Sequence, residues 1–167
     1  MPEILTKSAL QTQKKLTLPS AQNPPVMKNL SITIFYADDD PDDLEIFRDV
    51  VDSLEGRAQL YTYDGGQELI QALSNPPPIP ELVFLDLNMP GKDGFQALAE
   101  IRKNSKFKQV PVIVFSTSDD RVSVERSRHL GANFYLRKPT CYQNFKKTIK
   151  NVLDLDFNAN QSQSGFF

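Results

Sequence analysis

Apolar residues in this chain gather in short continuous runs, and between the runs they recur every three or four positions. The runs are Ile32–Ala37, Ala58–Tyr63, Leu82–Leu85, Val112–Phe115 and Phe134–Leu136. Each is short enough for a strand and too short for a buried helix. After the first run, Pro41–Leu54 places Leu44, Phe47, Val51 and Leu54 on one helical face. Gln67–Leu73 reads as helix and is followed by a stiff connector, Asn75–Pro80. Gly94–Asn104 sets Phe95, Leu98 and Ile101 at helical spacing, and Arg121–Leu130 is a more polar helix ending at Gly131, a residue that tolerates the left-handed turn past a helix end. Cys141–Leu155 puts Phe145, Ile149, Val152 and Leu153 on one face. The alternation predicts five β/α units, and continuous apolar strands joined by helices require a parallel sheet covered on both faces. The expected fold class is α/β.

The two ends do not share this pattern. Residues 1–30 are Gln-, Lys- and Pro-rich with scattered apolar positions and read as a disordered leader, within which Met27 offers a second start. Residues 156–167 read as a flexible tail ending in two phenylalanines. This leaves 31–155 as one domain, as the length of 167 residues allows. A net charge of −2 and a pI near 5.4 give no basic footprint for nucleic acid. No apolar run approaches a membrane span or a secretory signal, so the expected location is the cytoplasm. The single cysteine, Cys141, excludes an internal disulfide and a Cys-rich zinc site.

In a parallel α/β sheet, ligands bind beyond the carboxyl ends of the strands. The residues there are Asp38 and Asp39, Asp86, Ser116 and Lys138. Three carboxylates, a hydroxyl and an amine, far apart in sequence, would converge on one rim. The acidic run Asp38–Asp43 divides in two. Asp40 suits an N-cap, Pro41 the first helical position, and Asp43 the third position of a capping box, so Asp40, Asp42 and Asp43 are read as starting a helix. Asp38 and Asp39 have no such role and need a cation. Mg2+ fits, as a hard ion taking oxygen ligands. A calcium EF-hand loop does not, since its sixth and twelfth positions would be Asp43 and Asp49. With the charge neutralised, Asp86 could attack phosphorus and form an aspartyl phosphate, with Lys138 and Ser116 contacting phosphoryl oxygens. An attacking carboxylate has no proton to lose, so no general base is needed.

Together, Asp38-Asp39, the stretch Phe84–Gly94 around Asp86, Ser116-Thr117 and Lys138-Pro139 resemble the receiver domain of two-component response regulators, over about residues 31–155. The resemblance implies a doubly wound, flavodoxin-like sheet of order 2-1-3-4-5. It also implies that Asp86 is phosphorylated by a sensor histidine kinase or a histidine phosphotransfer protein. Asp39 and Asp86 would coordinate Mg2+ directly, Asn88 would add its backbone carbonyl, and Asp38 would act through water. Ser116 and Tyr135 would be the switch pair, Tyr135 swinging into space vacated by Ser116, and the Lys138–Pro139 bond would be cis. Such a module is not an enzyme beyond its own phosphorylation and dephosphorylation. With few residues after Leu155, output is expected through an unidentified protein partner and a surface around 121–155. The expected state is a monomer, with phosphorylation-linked dimerisation as the alternative.

Other readings compete. A relay intermediate or phosphate sink would use the same residues. A haloacid-dehalogenase-type phosphohydrolase also uses a strand-end aspartate, Mg2+, Ser/Thr and Lys, but needs an acid two residues after the nucleophile, where this chain has Asn88. A receiver fold used without phosphorylation is opposed by the intact residue set. His129 reads as a solvated histidine and Cys141 as an inert residue beside a helix start capped by Thr140 and Gln143.

Overall fold

A computed structural model describes residues 31–155 and Phe157; the leader over 1–30, and the tail apart from Phe157, lie outside the described residues. Within them, strands and helices alternate without interruption: β1 (Ile32–Ala37), α1 (Pro41–Asp52), β2 (Ala58–Tyr63), α2 (Gly66–Ser74), β3 (Leu82–Leu85), α3 (Gly94–Lys103), β4 (Val112–Ser116), α4 (Arg121–His129), β5 (Phe134–Arg137) and α5 (Tyr142–Leu153). All strands pair parallel in the order β2-β1-β3-β4-β5. This is the doubly wound five-stranded sheet that the strand pattern and the family resemblance led us to expect.

Period-two alternation along each strand divides the core into two layers. Ile34 and Tyr36 of β1, Phe84 of β3 and Phe115 of β4 face α1 and α5, where they meet Leu44, Phe47, Phe145 and Ile149. Phe35 and Ala37, Val83 and Leu85, Val114 and Tyr135 face the other way, toward Leu69 and Leu73 of α2 and Ala97, Leu98 and Ile101 of α3. The layer beneath α1 and α5 is built on rings. Tyr36 stacks on Phe47 with centroids 4.4 Å apart, Phe47 meets Phe84 edge-on at 4.9 Å, and Phe115 meets Phe145 at 5.1 Å. Each such pair contributes about 0.5–1.5 kcal/mol beyond its area, so the layer holds Tyr36 rigidly.

α4 is the weakly anchored element. Val122, though apolar, is 75 % exposed, and Ser127 is the helix's buried residue. Val124 and Leu130 pack only partly against the second layer. A further tie is polar: the Arg126 guanidinium lies 3.9 Å from the centre of the Phe95 ring on α3. Below α4, Arg102 of α3 donates to the Gly131 carbonyl at 2.7 Å, the Val110 carbonyl at 2.9 Å and Asn133 Oδ1 at 2.8 Å, bracing the turn into β5.

Three local expectations need correction. α5 begins at Tyr142, which makes Cys141 the N-cap, without a side-chain bond; Gln143 then sits one position too early for a capping box with Thr140. The cis peptide bonds are Pro76–Pro77 and Pro77–Pro78, whereas Lys138–Pro139 is trans, the intrinsic preference of an X–Pro bond. The third concerns Asp43 and belongs to the site. Among the described residues, no helix is long and apolar enough to cross a membrane.

Candidate functional site

The strand alternation continues past the strand ends and sorts the site residues. Asp38, Asp86 and Lys138 each follow a residue facing the second layer, so their side chains return to the α1/α5 side, whereas Ser116 and Tyr135 lie on the α3/α4 side. Asp38 and Asp86 are buried, Asp39 is exposed, and carboxylate oxygens of the three all lie within 4.8 Å of one another. Donors around an octahedral Mg2+ with bonds of about 2.1 Å stand roughly 3–4 Å apart. Small side-chain rotations would therefore close this set on a divalent cation, and the hard oxygen donors suit one.

Asp86 sits where β3 ends, and its main-chain N–H donates to the Ala37 carbonyl at 2.9 Å. Its Oδ2 accepts from the Asn88 N–H at 2.7 Å, and its Oδ1 lies 3.2 Å from Lys138 Nζ. The loop after Asp86 folds back so tightly that a Cβ on Gly94 would stand 2.1 Å from the Asp86 carbonyl oxygen. Only glycine fits there. Asp93 then caps α3 in a full capping box with Gln96, its Oδ1 accepting from the Gln96 N–H at 2.8 Å while Gln96 Oε1 accepts from the Asp93 N–H at 3.0 Å.

Lys138 is the hub of the pocket. Its ammonium lies 2.6 Å from Asp38 Oδ2, 2.7 Å from Asp43 Oδ2 and 3.2 Å from Asp86 Oδ1. Burial alone would lower its pKa, but the bonds to Asp38 and Asp43 outweigh this and raise it, so the ammonium stays charged. Asp38 is pushed above the usual carboxylate range by burial, against the opposing pull of Lys138 and Tyr36. The Tyr36 hydroxyl donates to Asp38 Oδ2, and the Asp40 N–H donates to its Oδ1 at 3.1 Å. Burial and the adjacent Asp38 raise the Tyr36 pKa, keeping the phenol a donor.

These bonds explain why Asp43 does not complete a capping box. Asp40 is the N-cap as expected, accepting from the Asp42 N–H at 2.9 Å. The Asp40 N–H that Asp43 would have accepted is already given to Asp38. Asp43 turns instead to Lys138. The acidic run therefore contributes a third carboxylate to the pocket, and the helix-start reading missed it. Tyr36 was missed too, because a tyrosine inside an apolar run reads as core.

Ser116 is fully buried, and its Oγ accepts from the Ser118 N–H at 3.4 Å. Tyr135 is also buried, its ring already turned inward and its hydroxyl donating to the Ser118 carbonyl at 2.9 Å. Burial raises its pKa. Asn88 is brought to the pocket through its N–H, with its side chain exposed. His129 and Cys141 lie outside the pocket and are exposed.

The fold and the pocket define a class: a doubly wound α/β domain with an acidic, lysine-anchored depression at the carboxyl ends of β1, β3 and β5. The sequence profile of the response regulator receiver domain matches residues 34–150. The chain belongs to that family, and so to two-component signalling. PilH of Pseudomonas aeruginosa is 30 % identical over 120 residues, covering 72 % of this chain and 96 % of PilH. Response regulator Rcp1 of Synechocystis sp. is 40 % identical over 75 residues, 45 % of this chain, and the match spans only about half of Rcp1 (51 %). Among solved structures, the Mn2+-bound form of Rcp1 superposes with a TM-score of 0.66 at 29 % identity, covering 72 % of this chain and 91 % of that one. The phosphorylated cyanobacterial phytochrome response regulator RcpA gives a TM-score of 0.67 at 28 % identity, covering 72 % and 90 %.

Proposed function

We propose that this chain is a cytoplasmic response-regulator receiver domain that accepts a phosphoryl group on Asp86 from a sensor histidine kinase or a histidine phosphotransfer protein. The observation that carries the proposal is the setting of Asp86. It is a buried carboxylate with Oδ2 fixed by the Asn88 N–H and Oδ1 facing Lys138, beside two further carboxylates placed for a cation. The Mn2+ in Rcp1 and the phosphorylated state of RcpA support the same reading.

In the proposed step, an Asp86 carboxylate oxygen forms a bond to phosphorus as the donor's P–N bond breaks. The electron pair leaves on the imidazole nitrogen, which takes a proton from solvent. Mg2+, held by Asp38, Asp39, Asp86 and the Asn88 carbonyl, would neutralise the carboxylates and the incoming phosphoryl oxygens. Lys138 supplies a charge-assisted hydrogen bond to one phosphoryl oxygen, and Ser116 a hydroxyl donor to another. The phosphoryl group adds about −1.5 to −2 charges at a point shared with Lys138 and Ser116. Ser116, drawn to it, releases the Ser118 segment that Tyr135 holds, and the bias passes to α4, the least anchored helix. Output is then a change in the surface around 121–155, read by a protein partner rather than by turnover of an external substrate.

Intact mass measurement after incubation with Mg2+ and a small acyl phosphate tests this. We expect one added phosphoryl group in the wild type and none in Asp86→Asn or with chelator. An unmodified wild type, beside a control receiver that is modified in the same buffer, overturns the proposal.

A further inference from the structure

We infer that Asp43 is a positioning residue that holds Lys138 in the pocket when a divalent cation takes over Asp38 and Asp86; the inference rests on the phosphoacceptor reading above. The Lys138 ammonium sits among three carboxylates, pairing with Asp38 at 2.6 Å and Asp86 at 3.2 Å and donating to Asp43 at 2.7 Å. Two of those partners belong to the cluster that fits a cation, which consists of Asp38, Asp39 and Asp86. Asp43 does not. A cation binding there withdraws charge from the bonds to Asp38 and Asp86 and places a divalent charge beside a buried ammonium. Without another partner, Lys138 would oppose the metal or leave the pocket.

Asp43 supplies that partner from a fixed place. It stands in the first turn of α1, a turn set by the Asp40 cap and by Pro41. Its side chain is 23 % exposed while that of Lys138 is 6 % exposed, so the pair closes the α1 side of the pocket. The contact spans 95 residues of sequence and ties α1 to the segment after β5. Asp43 thus keeps the ammonium inside the pocket and within reach of Asp86, where a phosphoryl oxygen must meet it. Asp43 is not one of the three carboxylates of the cation cluster, so its effect is exerted through Lys138.

The test is Mg2+ affinity measured by calorimetry on the full chain, without phosphodonor, for wild type, Asp43→Asn, Lys138→Met and the double variant. We expect Asp43→Asn to weaken Mg2+ binding about tenfold, the scale of one hydrogen bond between charged groups, and to change it less than about twofold when Lys138 is already Met. Asp42→Asn removes the same charge from the next position, which is exposed, and is expected to leave affinity within about twofold. That comparison also serves if Lys138→Met does not fold. Equal weakening by Asp42→Asn and Asp43→Asn, equal weakening in both Lys138 backgrounds, or no weakening by Asp43→Asn each overturns the inference. Wild type that binds Mg2+ and takes the phosphoryl group, with Asp43→Asn unchanged, defeats the inference alone; wild type that does neither defeats the phosphoacceptor reading as well.

Discussion

Replacing Lys138 by methionine keeps the stem and removes one cation from among three carboxylates. Breaking a buried ion pair by deleting one partner costs about 3–5 kcal/mol, because a charge is left without compensation. Here three acids lose their partner, which favours the upper end. Against this, Asp43 is 23 % exposed and can be hydrated, and Asp38, already shifted upward by burial, can take a proton. We therefore expect a loss of about 3 kcal/mol at pH 7 without metal, a large share of the 5–15 kcal/mol that stabilises a typical domain. The pH dependence has a definite sign. A carboxylate whose folded pKa is raised contributes stability below its unfolded value, near 3.9, and loses it as pH rises through the folded value. Without Lys138 the Asp38 shift grows, so the deficit is smaller near pH 4 than at pH 7. Lys138 itself is raised, so in the wild type its contribution is complete below its unfolded value, near 10.4, and fades only at higher pH. Millimolar Mg2+ should restore part of the loss by replacing the missing positive charge. Urea denaturation followed by circular dichroism at pH 4 and pH 7, with and without Mg2+, reads all of this. A loss that is independent of both pH and Mg2+ would refute the electrostatic account and leave only a packing defect.

Three further outcomes follow from particular contacts. Gly94→Ala drives a Cβ into the backbone of Asp86 and Leu87 and should destabilise by about 1–3 kcal/mol while slowing phosphorylation; a wild-type melting curve would contradict the tight-approach argument. Tyr36→Phe keeps the ring stack but removes the bond that lowers the Asp38 pKa, so Asp38 should titrate still higher by NMR, with about 1.5 kcal/mol lost at pH 7 and less at pH 4; an unmoved titration would contradict it. Phe95→Ala removes the ring under Arg126, worth about 1 kcal/mol, and should speed amide exchange in α4 while sparing α1 and α5; uniform exchange rates would show that α4 is anchored otherwise.

Much of this was readable from the order of residues. Runs such as Leu82–Leu85, apolar at every position, require burial on both faces, and that alone calls for a parallel sheet with helices on each side. Strand ends follow directly, and with them the convergence of Asp38, Asp86 and Lys138. What was not readable were the choices a side chain makes among partners at similar range. Asp43 had a local use as a capping-box acid and a distant one at Lys138, and only the tertiary fold shows that Asp38 had already taken the Asp40 N–H. Tyr36 shows the same limit, since an apolar run hides where one hydroxyl points. On α4, the apolar Val122 remains in solvent while the polar Ser127 is buried, which no helical spacing foretells. Spacing gives a face; it does not give the depth to which the face is buried.

Four carboxylates gather in or beside this pocket, and Asp86 is the proposed acceptor among them. The direct measurement is to phosphorylate the wild type, reduce the acyl phosphate with borohydride and map the modified residue by peptide mass spectrometry. Conversion at Asp86 alone is the expected result. Conversion at Asp38, Asp39 or Asp43, with Asp86 unmodified, would contradict the account.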